Sequence, residues 1–242
     1  MLSPRPSREL AGPARAVAAS GLVAALLYSD WVFLQPTVGA HLSAAHSYIS
    51  EMGAMSQPDH VLVNALDVLC GLCTVLCALL LRRLLPSTVL ARLGITALVV
   101  FGVATALGGV WPMTCTPSVD ATCTAGGLAL SASWRDLLTT ALSVVANGAL
   151  PVSMGLFALA LAGTPGWRHV AWAGRVLLLV TVPLTVAVAM LALLTGDVGL
   201  PQRVLVVLQS VWVATLAVTA VTSQWAARRT VTDRLPQGAE RS

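Results

Sequence analysis

The sequence predicts an all-α integral membrane protein: a six-transmembrane-helix bundle with both termini cytoplasmic. Three observations lead there. Of the 242 residues, 57% are hydrophobic and 10% charged, whereas a soluble domain carries about a quarter charged residues. The mean hydropathy is +0.83, and the apolar residues fall in blocks near the ~20 residues that span ~30 Å of hydrocarbon at ~1.5 Å per residue. The basic residues, all Arg, cluster at alternate breaks between the blocks. A soluble bundle would need polar helix faces, and the blocks lack them.

The apolar segments cover 16–35, 61–81, 90–110, 137–161, 170–194 and 204–226. The first follows Arg5, Arg8 and Arg15, as a signal peptide would, but no small-x-small cleavage site follows residue 30. Asp30-Trp31-Val32-Phe33 stand there instead, so it reads as a retained helix. Pro36 and Pro58 bracket the connection to the second segment, and Pro86 separates the second from the third. Trp111-Pro112 ends the third, Gly163 to Gly166 part the fourth from the fifth, and Gly199-Leu200-Pro201 precede the sixth. The longest connections are 36–60 and 111–136, and no soluble domain fits between the segments. The domain plan is a cytoplasmic tail over 1–15, the transmembrane domain over 16–226 and a second cytoplasmic tail over 227–242.

Arg5, Arg8, Arg15, Arg82, Arg83, Arg92, Arg168, Arg175, Arg228, Arg229, Arg234 and Arg241 fall on one side of the predicted bundle, leaving Arg135 and Arg203 on the other. The positive-inside rule therefore places both ends in the cytoplasm. Richness in Arg and Ala without Lys points to a bacterium with a GC-rich genome, hence to a multi-pass protein of the bacterial cell (plasma) membrane. The net charge of +4 fits cytoplasmic loops near anionic headgroups. No basic stripe with interleaved aromatics offers a nucleic-acid surface. Protein partners are not legible, and membrane lipid is the expected partner.

Cys115 and Cys123 share the 111–136 connection on the expected outer side, where an oxidising compartment favours a disulfide. Cys70, Cys73 and Cys77 occupy one helix face, but nothing supplies the remaining ligands of a zinc site. They read as small polarizable residues at a helix contact. No metal and no cofactor is expected. A catalytic-serine elbow, a P-loop and a dinucleotide fingerprint are all missing.

Polar residues descend from the outer boundary in two stripes. His60, Asn64, Asp67, Gly71 and Thr74 share one face of the second segment, and Asp136, Thr140, Ser143 and Asn147 one face of the fourth. An ionisable residue at the depth of Asp67 should face protein or water. The expectation is a cavity in the outer half that binds ligand through Asp30, His46, Ser50, Glu51, Asn64, Asp67, Arg135, Asp136 and Arg203, with Glu51 and Asp67 as candidate acids. The competing expectation is interhelical hydrogen bonding, with Arg135 or Arg203 paired to Asp67 or Asp30. The 41–54 loop carries His41 and His46 near Glu51, but their spacing fits no common zinc motif. Ser50-Glu51 reads as a cap or turn, with Gly53 taking a positive φ.

The run Tyr48-Ile49-Ser50-Glu51-Met52-Gly53-Ala54, with Pro58, Asn64 and the Trp111-Pro112 pair, resembles the signature of a large bacterial family of six-helix membrane proteins catalogued as a domain of unknown function. More distantly, the loop is similar to the Frag–DRAM–Sfk membrane family, whose members are associated with lipid remodelling. The resemblance implies a six-helix fold and a lipid-linked role, and no reaction. Two departures stand out: Met113-Thr114-Cys115 where an acid often follows the aromatic-Pro pair, and Trp134-Arg135-Asp136 where a His is common. The leading expectation is thus a polytopic membrane protein of unknown activity that binds or handles lipid. The alternatives are an intramembrane enzyme using Asp67 or Glu51 on a lipid or isoprenoid, and a small transporter with Pro183 as a kink.

Overall fold

In hydrocarbon every backbone N–H and C=O must be satisfied within the protein, and for these apolar blocks the helix does so locally. The computed structural model describes residues 11–123, 133–194 and 196–232. Both ends of the chain, with Arg5, Arg8, Arg234 and Arg241, lie outside the described residues. The helices are α1 (Ala11–Tyr28), α2 (Trp31–Leu34), α3 (His60–Leu81), α4 (Val89–Val110), α5 (Trp134–Ala160), α6 (Arg168–Leu194) and α7 (Gly199–Thr232). Among the described residues there is no strand.

Among the described residues five helices are long and apolar enough to cross a membrane: α3, α4, α5, α6 and the Gly199–Gln224 part of α7. The chain is a helical, multi-pass membrane protein. The first apolar segment departs from expectation. It is not one helix over 16–35 but α1, a break, and the single turn of α2. At the break the ladder tightens: the Ser29 N–H bonds the Leu26 carbonyl at 3.1 Å and the Asp30 N–H the Leu27 carbonyl at 3.2 Å. Ser and Asp side chains compete with the helical ladder, which favours a turn at this point.

The long helices form a ring in chain order. Each packs on the one before it, and α7 closes on α1. At the end where residues 82–88 and 161–167 connect helices, large buried side chains fill the ring, among them Leu81, Phe157, Leu161 and Trp167. Close approach of α3 and α4 depends on glycine. A Cβ on Gly71 would lie 2.3 Å from the Gly102 carbonyl oxygen, and one on Gly109 would lie 2.5 Å from the Asn64 carbonyl oxygen. Small residues at such contacts are how membrane helices gain van der Waals packing. The α3 cysteines do the same toward α1: a Cβ on Gly21 would lie 3.0 Å from Cys77 Sγ, and the Cys70 thiol donates to the Ala24 carbonyl at 3.4 Å. Among the described residues no group of His, Cys, Asp or Glu is placed to hold a metal.

The opposite end of the ring is closed by a cap. Residues 35–59 fold back over it around a 3-10 turn, Ile49–Gly53. The Met55 N–H bonds the Met113 carbonyl at 2.9 Å, Gln57 Nε2 donates to Thr116 Oγ1 at 2.8 Å, and the Leu200 N–H reaches the Ala45 carbonyl at 3.3 Å. The cap thus ties together the ends of α2, α3, α4 and α7. Cys115 and Cys123 form the expected disulfide, with Cα atoms 5.7 Å apart, packed against Ala54 and Met113.

Candidate functional site

The ring is left open beneath the cap. Large residues give way there to small and polar ones, and a cavity of about 120 Å³ remains, lined by residues of α1, α3, α4, α5, α7 and the cap. That is room for a few waters at ~30 Å³ each, or for a small polar group. Tyr28 lines it, with its ring edge-on to buried Phe101, the centroids 4.9 Å apart. Four of the expected ligand residues line this cavity: Asp30, Ser50, Asn64 and Asp67.

Their bonding differs. Asn64 is committed to the cap, its Nδ2 donating to the Gly53 carbonyl at 2.9 Å. This contact corrects the expectation for Gly53, whose φ is not positive. Glycine is needed there because a Cβ would lie 2.6 Å from Asn64 Oδ1. Asp67 is half-buried, and its carboxyl makes no hydrogen bond or ion pair to a described residue. Asp30 Oδ2 and Asn147 Oδ1 are buried acceptors without a donor. Asn147 lies one turn before Pro151, which has no N–H to offer its carbonyl. Gln209 Nε2 donates to that carbonyl at 3.4 Å, and Gln209 Oε1 accepts from the Tyr28 hydroxyl at 3.0 Å.

The other expected site residues lie outside this lining. Glu51 has no exposed surface and is spent inside the cap. Its carboxylate accepts from the Tyr48 N–H at 3.0 Å, from the Ser118 N–H at 3.2 Å and from the Ser118 hydroxyl. Glu51 therefore holds the 3-10 turn, as the cap-or-turn reading expects. Burial, and secondarily the Glu51 charge, push the Tyr48 phenol above its ordinary pKa. Asp136 is buried at the first turn of α5 and accepts from the Thr114 N–H at 2.9 Å, the Thr114 hydroxyl at 3.0 Å and the Ser133 hydroxyl at 2.6 Å. The two departures from the family pattern thus meet in space, Thr114 against Asp136. Arg203 is 3% exposed and stacks 5.5 Å from the Trp31 ring, donating to the Ser47 and Gly199 carbonyls and to Gln35 Oε1. Arg135 lies 5.3 Å from the Trp134 ring, with Nη1 3.9 Å from Met55 Sδ. Neither Arg pairs with Asp30 or Asp67. His46 contacts Asp197 at 2.7 Å on the surface.

Ser50, Met113, Thr139, Ser143, Asn147 and Gln202 line both this cavity and a second one. The second, about 320 Å³, runs between α5, α6 and α7, where Val144, Val188, Ala189, Ala192 and Leu205 make it mostly apolar. Its size falls in the range of small-molecule sites. Val144 is 67% exposed, so the groove reaches the bundle's outer face. On its far side stands α6, of whose 27 residues only Val170, Ala171, Gly174 and Thr181 are buried. Sequence reasoning did not single out Tyr28, Thr105, Gly108 or Gln202, which line the polar cavity. Tyr28 and Gln202 carried a faint signal as polar groups at the ends of apolar runs.

What this arrangement offers is a small, acceptor-rich chamber joined along one wall to an apolar groove. Neither the curated proteins nor the solved structures contain a match to the chain. A family model described as "Protein of unknown function (DUF998)" matches residues 21–219, from within α1 to within α7, and the chain belongs to that family.

Proposed function

We propose that this protein binds a membrane amphiphile, with the polar head in the chamber at Asp30 and Asp67 and the apolar chain in the groove between α5, α6 and α7. The observation that carries this is the shared wall: six residues line both the polar chamber and the apolar groove. Polar and apolar halves of one ligand would be matched by polar and apolar halves of one site. In this reading the bundle spans a bacterial plasma membrane six times, α1 with α2 making the first crossing, and both termini are cytoplasmic. The chamber then lies in the outer half of the bilayer. The distant similarity of the cap loop to Frag–DRAM–Sfk proteins agrees with a lipid-linked role.

A second reading, acid–base chemistry on the same amphiphile, is favoured by one residue. Asp67 offers a carboxyl with no hydrogen-bond partner among the described residues, which leaves it within reach of a ligand's proton in the chamber. Glu51 has no comparable access, being sealed in the cap.

The test is lipid content. Gly148 lines the groove and Gly108 the chamber, and a Cβ on either meets nothing within 4 Å. Gly148→Phe and Gly108→Leu fill these spaces while removing a helix-weakening glycine. Lipid extracted from purified wild-type protein should include a species retained in near-stoichiometric amount, and each variant should lose most of it. Equal lipid content in all three proteins would refute the proposal.

A further inference from the structure

We infer that the head group bound in the chamber is a hydrogen-bond donor bearing no phosphate or carboxylate: an amine or a cluster of hydroxyls. This rests on the proposed reading that chamber and groove hold one amphiphile, and it names the class of that ligand.

The inference follows from which groups in the chamber lack partners. The described lining holds two carboxyl side chains, Asp30 and Asp67, and no Arg or His. Arg203, next in the chain to Gln202 of the lining, does not line the chamber, and its guanidinium donates to Ser47, Gly199 and Gln35 beside Trp31. In the lining the unsatisfied buried atoms are acceptors, Asp30 Oδ2 and Asn147 Oδ1, and the Asp67 carboxyl has no partner among the described residues; Trp31 Nε1 and Arg203 Nε, buried donors without partners, lie outside the lining. Most of the lining donors are already engaged; the Ser50 and Ser143 hydroxyls and Gln202 Nε2, on the wall shared with the groove, are not engaged by any described residue. Asn64 Nδ2 donates to the Gly53 carbonyl, Asn147 Nδ2 to the Ser143 carbonyl, the Tyr28 hydroxyl to Gln209 and the Thr139 hydroxyl to the Trp111 carbonyl at 2.6 Å.

Buried acceptors without donors are costly, and a ligand that brings donors relieves that cost. A phosphate or carboxylate brings acceptors and a further negative charge, which a carboxylate at Asp30 or Asp67 repels in surroundings of low dielectric. The ordinary recognition of phosphate by Arg forks or helix N-terminal N–H groups has no counterpart in this lining. Selectivity would therefore work by exclusion as much as by attraction, anionic phospholipids being kept from the chamber by an ionised carboxyl.

The experiment offers the purified full-length protein three probes with the same chain: oleylamine, monooleoylglycerol and oleoyl lysophosphatidate, at equal mole fraction in detergent, read by native mass spectrometry. The expected result is retention of the amine or the glycerol ester at least ten-fold above the lysophosphatidate, with that preference abolished by Gly108→Leu. For the amine, Asp67→Asn should lower retention while leaving the glycerol ester bound. Retention of the lysophosphatidate equal to or above the others, lost in Gly108→Leu, would overturn the head-group inference and leave the amphiphile site standing. Retention of all three probes unchanged by both Gly108→Leu and Gly148→Phe would overturn the site itself.

Discussion

Glu51 and Asp67 look alike in the sequence, as acids near one boundary of apolar segments, and their surroundings separate them. Three donors converge on the Glu51 carboxylate, and none of the described residues donates to Asp67. Removing Glu51 takes the acceptor from the half-buried Tyr48 N–H, at ~1–3 kcal/mol for an unsatisfied buried group, while the exposed Ser118 can turn to water and its hydroxyl keeps Ser47. Glu51→Ala should lower the thermal midpoint in detergent by an amount equivalent to ~1–3 kcal/mol, read by the fluorescence of the seven Trp residues. Asp67→Leu should leave that midpoint unchanged or raise it, because an unpaired carboxyl inside a membrane bundle is itself a cost. An Asp67→Leu protein as damaged as Glu51→Ala would mean that Asp67 holds the helices together. At the disulfide, Cys115 and Cys123 close a short loop, worth ~2.5 kcal/mol in the chain-entropy account. Cys123→Ser should therefore destabilise the cap, and peptide mapping without reductant should recover 115 and 123 linked in the wild type.

Among the elements, α3 and α4 are the tightest pair and α6 the loosest. The polar stripe of α3 divides between two tasks: Gly71 lets the α4 backbone approach, while Asn64 and Asp67 face the cap and the chamber. Thr74, at the end of that stripe, bonds only the Cys70 carbonyl of its own helix, at 2.9 Å. A leucine at 71 drives a side chain into the Gly102 carbonyl, and overpacking of this kind costs ~1–3 kcal/mol or more. Gly71→Leu should yield protein that aggregates or melts well below the wild type in a detergent stability assay, whereas Gly108→Leu, on the same pair of helices but facing the chamber, should melt normally. A normal melt for Gly71→Leu would show that the α3–α4 approach is not required. Helix α6 buries little and carries Pro183, which removes one rung of its ladder. It is the element with the least packing to lose if the groove widens.

The whole molecule is a ring of helices with one end filled and the other capped over a chamber. The cap is stitched to the segment after α4 and to the start of α7, and the chamber shares a wall with the groove between α5, α6 and α7. The orientation of this ring is open to a direct measurement. In a protein keeping the Cys115–Cys123 disulfide but with Cys70, Cys73 and Cys77 replaced by Ala, single cysteines are placed at Ala45 in the cap and Ser87 at the opposite end, both exposed. A membrane-impermeant maleimide added outside intact cells should label position 45 and spare position 87. The reverse pattern would invert the bundle and put the chamber in the inner half of the bilayer.

Helical class, the positions of the long helices and the chemistry of the loop cysteines were all legible in the chain alone. Each depends on local quantities: twenty-residue hydropathy, Gly and Pro at breaks, two thiols eight residues apart. The break after Tyr28 was not legible, because a Ser-Asp pair inside an apolar run is compatible with a helix until packing is known. Nor was the division of the polar residues into those that hold the cap and those that face the chamber. Glu51, Asp136 and Arg203 have the sequence character of site residues and are consumed by partners 67, 22 and 168 positions away, namely Ser118, Thr114 and Gln35. Periodicity assigns a residue to a face, but hydrogen bonds are exhausted by whichever group arrives within ~3 Å, and in this protein those groups come from other elements.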